Sequence, residues 1–105
     1  MTDHLPDVYL GFRARFPAVA AAHDGLAREV DQTGPLDERT TRLVKLGMAV
    51  ASQSQGAVRS NVRKALDAGA SPEEIEHVVL LALTSSGFPT VVAAWQWVQE
   101  VLTAR

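Results

Sequence analysis

The sequence predicts an all-α protein of six helices, and three observations lead to this prediction. Apolar residues recur three, four and seven positions apart through most of the 105-residue chain, as they do on one face of a helix. Proline, serine, aspartate and glycine stand between these apolar segments, where helices begin and end. Alternating apolar and polar residues nowhere form a run long enough for a strand. We therefore expect a bundle of helices without a sheet.

The first three helices are predicted from their boundary residues. Residues 5–16 form a short first helix, and Pro17 suits the start of a second that continues to about residue 32. The sequence Thr33-Gly34-Pro35 ends that second helix. Asp37 is placed to cap the N-terminus of a third helix, where Glu38 also favours the positive end of the helix dipole.

The fourth helix begins near Gln55 or Gly56. Its apolar residues follow the spacing of one buried face: Val58, Val62, Ala65 and Leu66. Gly69 fits the left-handed position that commonly follows a helix. Ser71-Pro72-Glu73-Glu74 then predicts a capped start, with Glu74 closing a capping box on Ser71.

The fifth and sixth helices are strongly apolar. The fifth is predicted from Pro72 to about residue 85 and has so little polar surface that we expect it to be buried nearly all round. Gly87-Phe88-Pro89 interrupts the chain, and Pro89 opens the last helix. Trp95 and Trp97 are two positions apart, so they face different sides, one the core and the other an interface. This much apolar surface exceeds what a small monomer buries, and we expect a homo-oligomer.

Composition limits the function classes. The chain is long enough for one domain, residues 1–105, with N-terminal helices in 1–35 and a core in 36–105. A net charge of −2 gives no general attraction to nucleic acid, and no apolar segment is long enough to span a membrane. The polar start, residues 1–4, is unlike a secretory signal, so we expect a cytoplasmic protein.

The absence of cysteine excludes disulfides, thiolate nucleophiles and cysteine-ligated metals in this chain. His4 and His23 form no metal-binding spacing with other residues, and no metal or cofactor is expected.

From residue 37 to residue 102 the order of these signals resembles the carboxymuconolactone decarboxylase and alkylhydroperoxidase D superfamily. The features are an apolar helix, a helix ending in Lys64-Ala65-Leu66-Asp67-Ala68-Gly69-Ala70-Ser71, the Pro72-Glu73-Glu74-Ile75 cap, a second apolar helix, then Gly87-Phe88-Pro89 and a closing helix. They cover about two-thirds of the chain. The resemblance implies an orthogonal helical bundle of the alkylhydroperoxidase D type that forms homotrimers or homohexamers, with sites near subunit interfaces.

The superfamily's peroxidases use two cysteines and a histidine on the fourth helix, and this chain has none of them. The corresponding positions are Ser54, Ala57 and Asn61. Peroxide reduction needs an attacking and a resolving thiol. The chain could be a redox protein only by borrowing thiols from a partner, which is the least favoured hypothesis.

The decarboxylase-like branch uses an acidic residue and histidines, and a related arrangement reads E-G-A-V-H-S-H. Here the segment reads Gln55-Gly56-Ala57-Val58-Arg59-Ser60-Asn61, so the resemblance places Gln55 at the acid and Arg59 and Asn61 at the histidines. Amides and arginine do not exchange protons near neutral pH. They can still bind, since Arg59 can hold a carboxylate in bidentate fashion.

These residues lead to two main functional hypotheses. The first is a cofactor-independent decarboxylase or lyase on a small carboxylate, with Gln55, Arg59 and Asn61 as catalytic candidates and Arg59, Ser54 and His77 as substrate-binding candidates. The second is a non-catalytic protein that keeps the fold for binding a small acid or for assembly. The polar residues of the fourth helix could also be an ordinary solvated face, and His77 an exposed histidine.

Overall fold

The computed structural model describes residues 5–105, and within them the chain is helical without a strand. Its helices are α1 (Asp7–Arg15), α2 (Pro17–Gln32), α3 (Glu38–Ala51), α4 (Gln55–Asp67), α5 (Pro72–Leu81), α6 (Leu83–Ser86) and α7 (Phe88–Ala104). The all-α prediction is confirmed. The chain divides after Pro35 into two compact units, which are described separately.

In the N-terminal unit, α1 and α2 are joined by a single residue, Phe16. Pro17 occupies the first turn of α2, as predicted. The guanidinium of Arg13 in α1 donates to both carboxylate oxygens of Asp24 in α2, at 3.0 and 2.6 Å. These hydrogen bonds lower the pKa of Asp24 below its ordinary value. A bidentate salt bridge between Arg13 and Asp24 thus links the two helices.

The C-terminal unit has one hydrophobic core, to which α3, α4, α5 and α7 contribute. Its completely buried larger side chains are Leu46, Val50, Val58, Val62, Ile75, Val79 and Val98. The predicted stripe of α4 is confirmed, because Val58, Val62 and Ala65 are all fully buried. Packing this stripe against α3 and α7 fixes which side chains of α4 face outward.

The predicted helix boundaries around the core are confirmed in detail. Asp37 caps α3 by accepting from the backbone N–H of Thr40 at 2.8 Å. Gly69 has φ of +95°, a conformation that favours glycine. Ser71 and Glu74 form the complete capping box of α5, with bonds of 3.1 and 2.9 Å. The bond from the Ser71 backbone, and the ion pair with Arg39, lower the pKa of Glu74 below its ordinary value.

The fifth helix departs from the prediction in two ways. It ends at Leu81 rather than near residue 85, because Ala82 and Ser85 donate to carbonyls three residues back, which tightens the chain into a turn before the short α6. The expectation that this helix is buried on nearly every side is wrong for the single chain that the structure describes. Leu80 and Leu81 are 58% and 59% exposed, since α5 packs through Ile75 and Val79 on one side only.

The last helix begins at Phe88, and Pro89 lies in its first turn. The two tryptophans of α7 face different surroundings, as predicted. Trp97 packs against the core, whereas Trp95 is 43% exposed. The apolar surface of Trp95 is therefore open on the single chain.

Candidate functional site

Helix α4 carries the candidate catalytic residues at its N-terminal end. Its buried stripe faces the core, which leaves Gln55 exposed and Arg59 partly exposed. Ser54 is the N-cap residue, but its side chain makes no capping hydrogen bond and is exposed. The packing of α4 thus directs the charged group of the segment away from the core and toward α7.

Arg59 pairs with Glu100, which lies on α7. Its Nε donates to Oε1 of Glu100 at 3.2 Å, and its Nη2 donates to the same oxygen. With the Gln55 amide turned so that its oxygen faces the guanidinium, that oxygen accepts from Nη1 and Nη2 at 2.8 Å each. Gln55 and Arg59, one turn apart on α4, can therefore contact each other. The guanidinium of Arg59, which was expected to bind a substrate carboxylate, is thus bound to the carboxylate of Glu100 in the same chain.

Asn61 lies apart from this arrangement. Its side-chain amide donates to the carbonyl oxygen of Ala57 at 3.0 Å, one turn back on the same helix. A helix places residues two positions apart on different faces, so Arg59 and Asn61 do not converge. The structure thus brings together Gln55, Arg59 and Glu100, and leaves Asn61 bonded to its own backbone.

His77 lies in a separate groove between α5 and α7, called here the α5–α7 groove. It has a volume of about 530 Å³, and its apolar lining consists of Val79, Leu80, Phe88, Val91, Val92 and Trp95. Its polar lining consists of His77, Glu73 and Glu76. No residue of α4 lines this groove, so His77 does not share a cavity lining with Arg59.

A second apolar surface lies between α3 and α5, called here the α3–α5 face. Val44, Met48 and Leu81 are exposed on it, and small residues such as Gly47 lie between them. Its polar lining residues are Thr40, Ser85 and Ser86, all uncharged. The C-terminal unit therefore presents two apolar surfaces on either side of α5, and only one of them carries charge.

Residues 5–105 contain neither a metal-binding cluster of side chains nor a membrane-spanning helix. This part of the chain contains no group of three or more histidine, aspartate or glutamate side chains arranged to hold a metal ion. None of the helices described in it has the length and apolar character needed to cross a membrane.

Sequence reasoning missed Glu100 and the α5–α7 groove for different reasons. Glu100 is 41 residues from Arg59, and no local spacing connects them. The groove did leave a signal: Phe88, Val91, Val92 and Trp95 are spaced i, i+3, i+4 and i+7, as one helix face requires. Four of the five α5 residues that line the groove repeat the same spacing: Glu73, Glu76, His77 and Leu80.

Comparison with known proteins agrees with this architecture. The model of the carboxymuconolactone decarboxylase family matches residues 17–100. The uncharacterized protein MJ1511 of Methanocaldococcus jannaschii is 31% identical over 85 residues, which is 81% of this chain and 79% of that protein. The crystal structure of apo-lpg0406, a carboxymuconolactone decarboxylase family protein from Legionella pneumophila, superposes with a TM-score of 0.73.

The Legionella structure covers 89% of this chain and 86% of its own, at 24% identity, so it supports the fold alone. The family match extends over four-fifths of the sequence and includes α4 with its substituted positions. The chain belongs to the carboxymuconolactone decarboxylase family.

Proposed function

We propose that this chain is a homo-oligomeric, non-catalytic member of the family, in which α4 joins α7 through an ion pair and transfers no protons. The observation that supports the proposal most directly is the pairing of Arg59 with Glu100. General acid–base catalysis needs a side chain that exchanges a proton near the working pH. Gln55 and Asn61 carry amides, and neither an amide nor an arginine side chain exchanges protons near neutral pH.

The hydrogen bonds of these side chains support the same reading. Glu100 and the turned amide of Gln55 accept hydrogen bonds from Arg59, and the carbonyl of Ala57 accepts one from Asn61. A substrate carboxylate would have to compete with Glu100 for the guanidinium of Arg59. The segment that corresponds to the family's proton-transfer helix is therefore better suited to holding two helices together.

The α3–α5 face supports the assembly part of the proposal. Val44, Met48 and Leu81 are 45%, 65% and 59% exposed on one face, and a contiguous exposed apolar patch commonly marks an interaction surface. The residues that line this face within 5–105 carry no charge, so a second copy can cover them without burying an unpaired ion. We expect a second copy of this chain, in a trimer or hexamer, to cover this face.

Light scattering on two matched variants tests the assembly. Leu81 and Leu80 are neighbours of the same type and nearly equal exposure, but Leu81 lies on the α3–α5 face and Leu80 in the α5–α7 groove. The wild type should have about three or six times the 11.3 kDa of one chain. Leu81→Glu should reduce this mass, and Leu80→Glu should not. A wild type with the mass of one chain would refute the proposed assembly.

A gain-of-function experiment tests the loss of proton transfer. Gln55→Glu, Arg59→His and Asn61→His together restore the ionisable groups at the three positions. We expect no decarboxylation of a carboxymuconolactone by the wild type and measurable carbon dioxide release by the triple variant. Release by the wild type above the uncatalysed rate would refute the non-catalytic assignment.

A cofactor-independent lyase acting on a small carboxylate is the second candidate, and one observation favours it. The side chains of Arg59 and Glu100 are 33% and 44% exposed, so their pair can open to an incoming carboxylate at small cost. Arg59 would then bind the anion and stabilise charge as it develops. Under this candidate Arg59→Ala should abolish a turnover that the wild type possesses. Under the non-catalytic proposal neither protein turns over.

A further inference from the structure

We propose that the α5–α7 groove binds a small organic cation: an ammonium group attached to an aromatic or aliphatic body. This site goes beyond the proposed function, which concerns α4 and the α3–α5 face, and it does not depend on it. The groove has a volume of about 530 Å³, within the usual range of small-ligand pockets, roughly 300–1,000 Å³.

The two walls of the groove differ in character because two helical stripes face each other. On α7, Phe88, Val92 and Trp95 present exposed apolar and aromatic surface, at 65%, 54% and 43% exposure. On α5, Glu73, Glu76 and His77 form the polar part of the lining. A ligand that touches both walls therefore needs an apolar body beside a polar group.

The charge of the lining determines the sign of that polar group. Within residues 5–105, neither Glu73 nor Glu76 forms a salt bridge, and no lysine or arginine lines the groove. Glu76 accepts a hydrogen bond from Nε2 of Gln99 at 2.8 Å, which holds its carboxylate in place without neutralising it. A ligand carboxylate would be repelled here, whereas an ammonium group would meet two compensating charges.

The aromatic side chains favour the same kind of ligand. The faces of tryptophan and phenylalanine attract cations through their negative quadrupoles. Trp95 lies two turns beyond Phe88, so both rings belong to the same side of α7. An aromatic or aliphatic ammonium ion can thus combine apolar contact, cation–π attraction and charge pairing in one groove.

The experiment compares three probes of similar shape: benzylammonium, benzyl alcohol and benzoate. Binding is followed by tryptophan fluorescence and by chemical-shift changes of the Trp95 indole. Benzylammonium should bind most tightly and benzoate least. Glu73→Gln and Glu76→Gln should each weaken benzylammonium binding about fivefold, the factor that one charge contact near 4 Å represents in water. Benzyl alcohol binding should stay unchanged in both variants.

Control variants separate a local site from a general charge effect. Glu38→Gln removes one negative charge on α3, outside the groove, and should leave benzylammonium binding within twofold of the wild type. Trp95→Ala should weaken benzylammonium and benzyl alcohol alike. Equal affinity for benzoate and benzylammonium would overturn the proposal. So would no binding of benzylammonium at 10 mM, a concentration that corresponds to a binding free energy of about 2.7 kcal/mol.

A second copy of the chain is the competing occupant of this groove. If Leu80→Glu dissociates the oligomer while Leu81→Glu does not, the groove is a subunit interface and the cation site is refuted. If Leu81→Glu alone dissociates the oligomer and benzylammonium still fails to bind, the assembly proposal stands and only the cation site fails. The two proposals can therefore fail separately.

Discussion

The ion pair between Arg59 and Glu100 leads to the most detailed prediction. It joins α4 to α7 across the part of the chain where the family resemblance places catalytic residues. Replacing each residue by alanine, singly and together, forms a double-mutant cycle that isolates the interaction between the two side chains. If the pair has a structural role, the cycle should give a small favourable coupling.

The geometry sets the magnitude. Both donors of Arg59 converge on one oxygen of Glu100, so the pair lacks the two parallel bonds of the strongest arginine–carboxylate contacts. The side chains are 33% and 44% exposed, and solvent screens their attraction. Exposed pairs contribute about 0.2–1 kcal/mol, and we expect a coupling of about 0.5 kcal/mol. The coupling should fall as the salt concentration rises from 0.05 to 0.5 M, because dissolved ions screen exposed charges. The screening (Debye) length is on the order of 10 Å at 0.1 M salt.

Urea denaturation of the four proteins measures the coupling, and the chain offers a matched control. Asp67 on α4 and Arg105 at the end of α7 form another pair between the same regions, with 63% and 32% exposed side chains. Its cycle should give a smaller coupling, because Asp67 is the more solvated carboxylate. A coupling at Arg59 and Glu100 that is zero, or that exceeds about 2 kcal/mol, would refute the reasoning from geometry and exposure.

Three further predictions concern stability. Ser71→Ala should lower the free energy of unfolding by about 1 kcal/mol in urea denaturation, because it removes a capping bond; Ser54→Ala, at an N-cap without such a bond, should change it little. Leu46→Ala should cost about 2–5 kcal/mol in the same measurement, and Leu36→Ala, at an exposed position, under about 0.5 kcal/mol. Because the pKa of Glu74 is lowered from its ordinary value of 4.5, its ionised carboxylate stabilises the folded state at pH values above 4.5. This contribution is lost as the pH falls through the lowered pKa. Glu74→Gln should therefore destabilise the protein at pH 7 and flatten the loss of stability that acid titration measures in the wild type.

The helix boundaries could be predicted from the sequence because their causes are local. The capping box of Ser71 and Glu74 involves residues three apart, and the left-handed turn at Gly69 depends on one residue. Short-range signals of this kind are complete within a few positions of the chain. They located the end of α4 and the start of α5 without any knowledge of the packing.

The candidate site could be predicted only in part, because its partners are distant in sequence. The family pattern indicated Gln55 and Arg59, which share one helix face. Glu100 could not be found, since the packing of α4 on α7 brings it to Arg59. The break after Leu81 was also missed, because the apolar run of residues 78–83 continues across the boundary between α5 and α6.

The measurement that tests the central claim most directly is a nitrogen NMR spectrum of the Arg59 guanidinium, in the wild type and in Glu100→Ala. If Glu100 holds the Arg59 guanidinium, the wild type should show slowed rotation about the Nε–Cζ bond of Arg59. Its guanidinium hydrogens should also exchange more slowly than those of a free arginine. Glu100→Ala should lose both signs of binding. A wild-type spectrum identical to that of Glu100→Ala would show that Arg59 is free to take a ligand, and would contradict a structural role for α4.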